Sequence, residues 1–312
     1  MKKRLRTQVI VNPESNRGRT RQRWTDIKEA IRGFIQEFRY EFTEKPLQAI
    51  EITREAIKSG HELIIGVGGD GTMNEIANGF FDRRLIINPE TTLGILPSGT
   101  GSDLTKSLKI PSGIRGALQV ITRCPSVPID VGRVTFRSAA GPEMERFFLN
   151  VADFGVGGEV VKEVNQRRLE RKASSYVRCL IKTMMHYRSK RVRIRVDERE
   201  LLTGEYLIGA VANGRIFGKG MKFAPLARLD DGQFDVILVK SMSFGEFCRH
   251  GWKIFFGKHL SHRKIQFIRG QHVEALSQDS EDVLLEMDGE QLGSLPARFE
   301  ILPRHLLIKG FV

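Results

Sequence analysis

Apolar positions in the first 125 residues change period several times. TQVIVNP (7–13) is β-branched and closes on Asn-Pro, which predicts a strand and a turn. TRQRWTDIKEAIRGFI (20–35) carries its apolar residues at helical spacing, and FRYEFTE (38–44) reads as a second strand. PLQAIEITREAIKSG (46–60) is a helix pattern with Pro near its start and Gly at its end. The strand ELIIGVGG (62–69), the helix TMNEIANGFFD (72–82), the strand TLGILPSG (92–99) and the start of a helix in GSDLTKSL (101–108) follow. Strand and helix alternating at such short intervals predict a three-layer α/β domain with a parallel sheet, whose ligands sit beyond the carboxyl ends of the strands. The glycine- and proline-rich punctuation at 12–13, 68–72 and 97–103 falls at those ends.

Beyond residue 125 the pattern becomes strand-rich. SVPIDVGRVTF, ERFFLNVADFG, SKRVRIRVDE, EYLIGAVANGR, QFDVILVK, DVLLEMDGE and ARFEILP have few helices between them, and only 159–187 and 243–257 keep helical spacing. The expected fold is therefore α/β plus β-rich: an α/β domain over 1–126 and a mostly antiparallel β-sandwich domain over 127–303. The apolar stretch HLLIKGFV is placed to return as a strand, so that 304–312 complete the first domain.

Composition narrows the setting. No apolar run reaches the ~18 residues of a membrane span, and the basic start MKKRLR precedes too short an apolar core for a signal peptide. Three widely spaced cysteines predict no disulfide framework and a reducing cytoplasm. A net charge of +13 calls for an anionic partner. The excess concentrates in 162–199 and in KHLSHRK (258–264), the latter beside the aromatic FGEFCRHGWKIFFG. No zinc-finger spacing, basic zipper or aromatic RNA-binding motif accompanies it, so no nucleic acid is expected. Basic residues beside aromatics suit an anionic lipid surface.

Four segments carry candidate chemistry. Gly68-Gly69-Asp70-Gly71-Thr72, between a strand and a helix, offers backbone N–H groups to a phosphate. A carboxylate inside such a loop opposes a phosphate unless it holds a cation or takes a hydroxyl proton, which singles out Asp70. VNPESNRGR (11–19) ends the first strand with a glycine and arginines. LPSGTGSD (96–103) supplies Ser98, Gly99, Thr100, Ser102 and Asp103. MDGE (287–290) places Asp288 and Glu290 about a glycine, a pattern that in isolation suits a hairpin turn better than paired carboxylates converging on one hydroxyl or metal.

In this order and over essentially the whole chain, the segments resemble the diacylglycerol kinase catalytic family, in its soluble bacterial form related to sphingosine and ceramide kinases. The first-strand signature is Val11-Asn12-Pro13 with Gly18, the element after the second strand is Thr43-Glu44, and the GGDGT loop continues into Asn74 and Glu75. Ser102 departs from the asparagine usual in the third loop. The resemblance implies an ATP-dependent lipid kinase acting on a lipid hydroxyl, of diacylglycerol or a related lipid. It implies a nucleotide-binding catalytic domain followed by a lipid-substrate domain, with NVADFGVGGEVV (150–161) near the acceptor.

Asn12, Thr43, Gly68, Gly69, Asp70, Gly71, Thr72, Glu75, Ser98, Gly99 and Thr100 would hold ATP. Asp70 would serve Mg²⁺, Asp288 would be the general base and Glu290 its partner. A structural magnesium would be held by Asp231 with main-chain carbonyls of Arg228 and Gln233. Arg167, Arg168 and Lys172 are candidates for the nucleotide phosphates. The expected setting is cytoplasmic, peripherally associated with the inner face of an anionic membrane, with homodimerisation through a β-domain edge strand open. NAD kinase, which shares a GGDGT-like loop, is the enzymatic alternative. A catalytically silent lipid- or nucleotide-binding regulator is the other, and the intact Asp70, Asp231, Asp288 and Glu290 speak against it.

Overall fold

The protein is described by a computed structural model covering residues 5–99, 102–138, 140–166, 173–199, 202–278 and 282–311. The chain divides into two compact units, Met1–Asp130 with Arg304–Val312, and Val131–Pro303.

The first unit contains β1 (Thr7–Val11), α1 (Arg19–Gln22), α2 (Trp24–Phe34), β2 (Arg39–Phe42), α3 (Gln48–Lys58), β3 (Leu63–Gly68), α4 (Asp70–Gly79), the short hairpin β4 (Phe81–Asp82) and β5 (Leu85–Ile86), β6 (Thr92–Pro97), α5 (Asp103–Ser107) and α6 (Ile114–Arg123). β1 pairs in parallel with β2 and β3, and β3 in parallel with β6. Every residue of β1 and β3 is buried, as strands covered on both faces require. The helices supply that cover through stripes at helical spacing: Trp24, Ile27 and Ile31 at i, i+3 and i+7 on α2, and Ala49, Ile52, Ala56 and Ile57 at i, i+3, i+7 and i+8 on α3. Val11 lies level with Val67, and Gly68 with Pro97, so β1, β3 and β6 release their loops side by side.

The second unit runs through β7 (Ser126–Ser138), which enters from the first, then β8 (Glu143–Phe148), β9 (Val151–Gly155), α7 (Val156–Gln166), α8 (Ala173–His186), β10 (Lys190–Val196), β11 (Leu202–Ala212), β12 (Phe234–Lys240), α9 (Phe244–His250), β13 (Ile265–Gly270), β14 (His272–Ser277), β15 (Leu284–Met287) and β16 (Glu290–Lys309). The far end of β16 pairs in parallel with β6 through Leu307 and Ile308, adding a fifth strand to the first unit's sheet.

Antiparallel pairing in the second unit closes on itself. β11 pairs with β10 over residues 202–206 and with β9 over residues 208–212; β10 continues to β14 and β16, and β9 continues to β15 and again β16. Six strands thus form a ring in which β11 and β16 serve both halves, while β13 and β8 each pair on one side only, with β12 and β7. The ring encloses Phe136, Phe148, Phe154, Phe234 and Phe299, all buried. A second apolar layer, including Val160 of α7, Cys179 and Met184 of α8 and Ile237 of β12, lies on the other face. Cys124, Cys179 and Cys248 are all free thiols. Among the described residues no helix is long and apolar enough to cross a membrane.

Candidate active site

In the first unit the three loops at the strand ends are tied to one another. The Asn12 amide donates to Thr72 Oγ1 at 2.9 Å, linking the first-strand loop to the start of α4. Asn12 N–H donates to the Val67 carbonyl, Thr43 N–H to the Val11 carbonyl, and Ser98 N–H to the Gly68 carbonyl. Hydroxyls carry the connection further: Ser15 Oγ lies 2.6 Å from Thr20 Oγ1, which lies 2.5 Å from Ser98 Oγ. Asn12, Thr43, Gly68, Thr72 and Ser98 are therefore brought together.

The glycines of this knot serve close approach, not turn handedness. None of Gly68, Gly69 and Gly71 has a positive φ. A Cβ on Gly99 would stand 2.6 Å from Gly69 Cα, so the two loops run backbone against backbone. α4 starts from Gly69 with no side-chain cap. A ten-residue helix that begins so directs main-chain N–H groups and the positive end of its dipole outward, the arrangement that receives a phosphate.

Two acids expected at the nucleotide brace helices. Asp70 Oδ2 accepts the Asp103 N–H at 3.0 Å and Oδ1 accepts the Leu104 N–H at 3.3 Å, so its carboxylate ties α4 to the first turn of α5. Glu75 accepts the Ala49 N–H at 3.2 Å, at the start of α3. Both anions sit at helix N-termini, where they are favoured. Among the described residues no group of three or more His, Cys, Asp or Glu is placed to hold a metal. Asp70 thus braces α5 through both of its oxygens. Thr100, Arg167, Arg168 and Lys172 lie outside the described residues.

At the expected structural magnesium the partner is a guanidinium. Asp231 Oδ1 accepts the Gln233 N–H at 3.2 Å, Oδ2 lies 3.6 Å from Arg269 Nη1, and Arg269 Nε bonds Asp235 at 2.9 Å. Arg228 extends its side chain to Asp230. Burial pushes the Asp235 carboxyl up to about 6 against the opposing pull of Arg269. Asp231 and Asp235 thus share one guanidinium, that of Arg269.

In the second unit Asp288 and Gly289 form the two-residue turn between β15 and β16, with φ of 48° and 93°. Both left-handed values mark a type I′ hairpin, for which Asp-Gly is a preferred pair. The hairpin reading of this segment therefore holds. Asp288 Oδ1 accepts the Val151 N–H at 3.1 Å and Oδ2 the Leu149 N–H at 3.2 Å, while its own N–H donates to the Val151 carbonyl. Its carboxylate is half-buried and oriented from both oxygens. Glu290, also half-buried, opens β16 opposite Met287.

Beneath this turn lies a pair that sequence reasoning missed. Asp153 of β9 and Glu286 of β15 are directly opposed, and both are fully buried. Glu286 Oε1 accepts the Gly289 N–H of the turn itself. Among the described residues, the two Asp153 oxygens and Glu286 Oε2 have no hydrogen-bond partner apart from each other. Burial pushes Asp153 up to about 6, with the Glu286 bond opposing, and burial together with the Asp153 charge drives Glu286 well above the carboxylate range. Two like charges so placed cannot both ionise, and the pair keeps one proton on Glu286. Gly157 of α7 makes room, since a Cβ there would fall 2.1 Å from Asp153 Oδ1. The signal was present in NVADFGV and VLLEM, each an apolar stretch interrupted by a single acid.

Glycine-rich loops at the strand ends of an α/β unit are thus followed in the chain by a β-rich unit that carries an aspartate held at both oxygens. Residues 6–134 match the diacylglycerol kinase catalytic domain and residues 150–309 match the YegS C-terminal NAD kinase beta sandwich-like domain. The chain belongs to the diacylglycerol kinase family. A diacylglycerol kinase of Staphylococcus haemolyticus is 28% identical over 96% of this chain and 86% of its own, and one of Staphylococcus aureus is 27% identical over 97% and 91%. The same fold is seen in a crystal structure of a diacylglycerol kinase from Bacillus anthracis, with 24% identity, a TM-score of 0.73 and coverage of 99% and 98%. It extends to an Archaeoglobus fulgidus NAD kinase in complex with ATP, with 15% identity, a TM-score of 0.52 and coverage of 97% and 93%.

Proposed function

We propose that this kinase transfers the γ-phosphate of ATP, taken as its magnesium complex, to the hydroxyl of diacylglycerol or a related lipid drawn from an anionic membrane. The observation that carries the reading is the Asp288 carboxylate, held at both oxygens by main-chain N–H groups. A carboxylate held this way accepts and does not donate, and is oriented before the acceptor arrives.

The lipid hydroxyl oxygen forms its bond to the γ-phosphorus as the bond to the β–γ bridging oxygen breaks. Asp288 takes the hydroxyl proton and passes it to water, and ADP leaves. Glu290 is the second carboxylate of that turn. The loop main chain at 68–72, with Asn12, Thr43, Ser98 and Gly99, supplies the phosphate contacts. Phosphoryl transfer asks the protein chiefly for alignment and charge neutralisation, which backbone N–H groups at the start of α4 provide.

The test incubates the purified chain with labelled ATP and a total lipid extract, and reads by mass spectrometry which species gains a phosphate. NAD is offered as a competing acceptor. Phosphorylated lipid, lost on the order of 10²- to 10⁴-fold in Asp288→Asn with the circular dichroism spectrum kept, is the expected result. Phosphorylation of NAD alone, or full turnover by Asp288→Asn, overturns it.

A further inference from the structure

The segment after β12 is built unlike the rest of the second unit. α9 and the 3₁₀ stretch Gly251–Phe256 follow one another, and neither contains a single buried residue. Yet this stretch holds Phe244, Phe247, Trp252, Phe255 and Phe256. Phe247 and Ile254 lean on the apolar layer below. Phe244 and Phe255 are exposed, and Trp252 and Phe256 remain 56% and 63% exposed. Singly scattered exposed apolar residues need no explanation, but four large rings within thirteen residues do.

The segment is held in place. A capping box between Ser243 and Glu246 starts α9. Lys222 N–H bonds the Ile254 carbonyl, and buried His259 bonds the Phe223 carbonyl at 2.9 Å. Trp252 donates its indole N–H to the Arg249 carbonyl at 3.0 Å, and its ring packs on Phe256 at 5.9 Å. The indole can therefore leave water without abandoning a hydrogen bond.

Charge identifies the partner. Residues 244–263 hold Arg249, Lys253, Lys258 and Arg263 against one carboxylate, Glu246, which Lys264 already occupies at 2.6 Å. Desolvation, then Lys253, His262 and Arg249, hold the His250 imidazole below its ordinary range, as a positive field does. A second copy of this face would meet like charge. Exposed rings interleaved with cations match the boundary between acyl chains and anionic headgroups.

We propose that residues 244–258 form a preshaped membrane-docking surface that inserts Trp252, Phe255 and Phe256 among the lipids of an anionic bilayer, while Arg249, Lys253 and Lys258 meet its headgroups. The inference rests on the lipid-acceptor reading above for why the chain visits a membrane, but its test uses neither ATP nor turnover.

The probe is vesicles of phosphatidylglycerol with phosphatidylcholine, compared with phosphatidylcholine alone, by cosedimentation and intrinsic fluorescence. The chain has two tryptophans, Trp24 buried and Trp252 exposed, so a blue shift on binding reports Trp252. Expected are binding to anionic vesicles that weakens in high salt, a blue shift absent from Trp252→Phe, and loss of binding in Trp252→Ala/Phe256→Ser. Lys253→Gln/Lys258→Gln should bind on the order of twentyfold more weakly, at about fivefold per cation.

Phosphorylation of a short-chain, monodisperse acceptor should be unchanged in these variants. Equal binding to neutral vesicles, unchanged binding by the ring variant, or a ring variant that alters only the oligomeric state in analytical ultracentrifugation overturns the proposal. A wild-type chain that docks as described but phosphorylates no lipid overturns the proposed function and leaves the docking surface standing.

Discussion

Asp153 and Glu286 face each other across β9 and β15, both fully buried, and Glu286 also holds the main chain of the Asp288–Gly289 turn. The arrangement stores a proton directly behind the candidate base. Its thermodynamic consequence follows from the Asp153 carboxyl, raised in the folded chain from 3.8 to about 6. Above pH 4 the folded state binds more protons than the unfolded one, so stability falls as pH rises. The contribution is fully present below pH 4 and is lost as pH passes 6.

Asp153→Asn removes the Asp153 part of this dependence, because a neutral amide can accept from the protonated Glu286 carboxyl without itself taking up a proton. In urea unfolding, the variant should match the wild type near pH 4.5 and exceed it near pH 8 by about 3 kcal/mol at most, roughly two pH units of linkage. Identical pH dependences in the two proteins would show that Asp153 ionises freely.

Gly99 and Gly69 bring two loops to van der Waals distance, and the atom a side chain would strike is backbone. Gly99→Ala should cost about 1–3 kcal/mol through overpacking. The same substitution should raise the KM for ATP at least several-fold, since the loops that receive phosphate must part. Gly113→Ala is the control. It meets nothing within 4 Å and has an extended backbone at the N-cap of α6, so it should lose only the cap preference of about 1 kcal/mol and leave the KM for ATP unchanged. Isothermal titration with a nonhydrolysable ATP analogue measures the difference.

Much of this architecture was legible from period alone. Buried β1 and β3 read as unbroken apolar runs because both faces are covered, and the amphipathic helices between them announced themselves at 3.6-residue spacing. The loop residues that meet at the strand ends were also legible, since glycine and hydroxyl residues at strand termini have few other uses. Hydrogen-bond partners were not. Nothing in local sequence shows that Asp70 reaches the N-terminus of α5, or that Arg269 occupies the carboxylates at 231 and 235. The Asp153–Glu286 pair escaped for the same reason. Each acid is unremarkable alone, and only the register of β9 on β15 makes them neighbours.

Asp70 separates two roles that sequence alone would merge. As the cap of α5, its carboxylate takes the N–H groups of Asp103 and Leu104. Asp70→Ala should then lower stability by about 1–2 kcal/mol, and Asp70→Asn, with one carbonyl oxygen left to accept, by less. Activity should follow the same order, with the KM for ATP rising as the α5 loop loosens. A magnesium ligand would behave otherwise: Asp70→Asn would abolish turnover at unchanged stability, and excess magnesium would partly restore it. Urea midpoints and magnesium titrations on both variants distinguish the roles.

Ser102 occupies the left-handed region with φ 51° and ψ 46°, at the position where the resembling family uses asparagine. A left-handed conformation costs an ordinary residue roughly 1–2 kcal/mol, and asparagine is among the few that adopt it readily. The bonds that hold residue 102 use its main-chain carbonyl, which accepts from Thr105 Oγ1 at 2.7 Å and from the Lys106 N–H, so they survive a change of side chain. Ser102→Asn should therefore stabilise the first unit by about 0.5 kcal/mol and raise Tm by roughly 1–2 °C. Ser102→Ala, equally unsuited to positive φ, should give no gain. Calorimetry on the three proteins reads the effect, and a Tm for Ser102→Asn at or below that of Ser102→Ala would show that backbone conformation does not limit this loop.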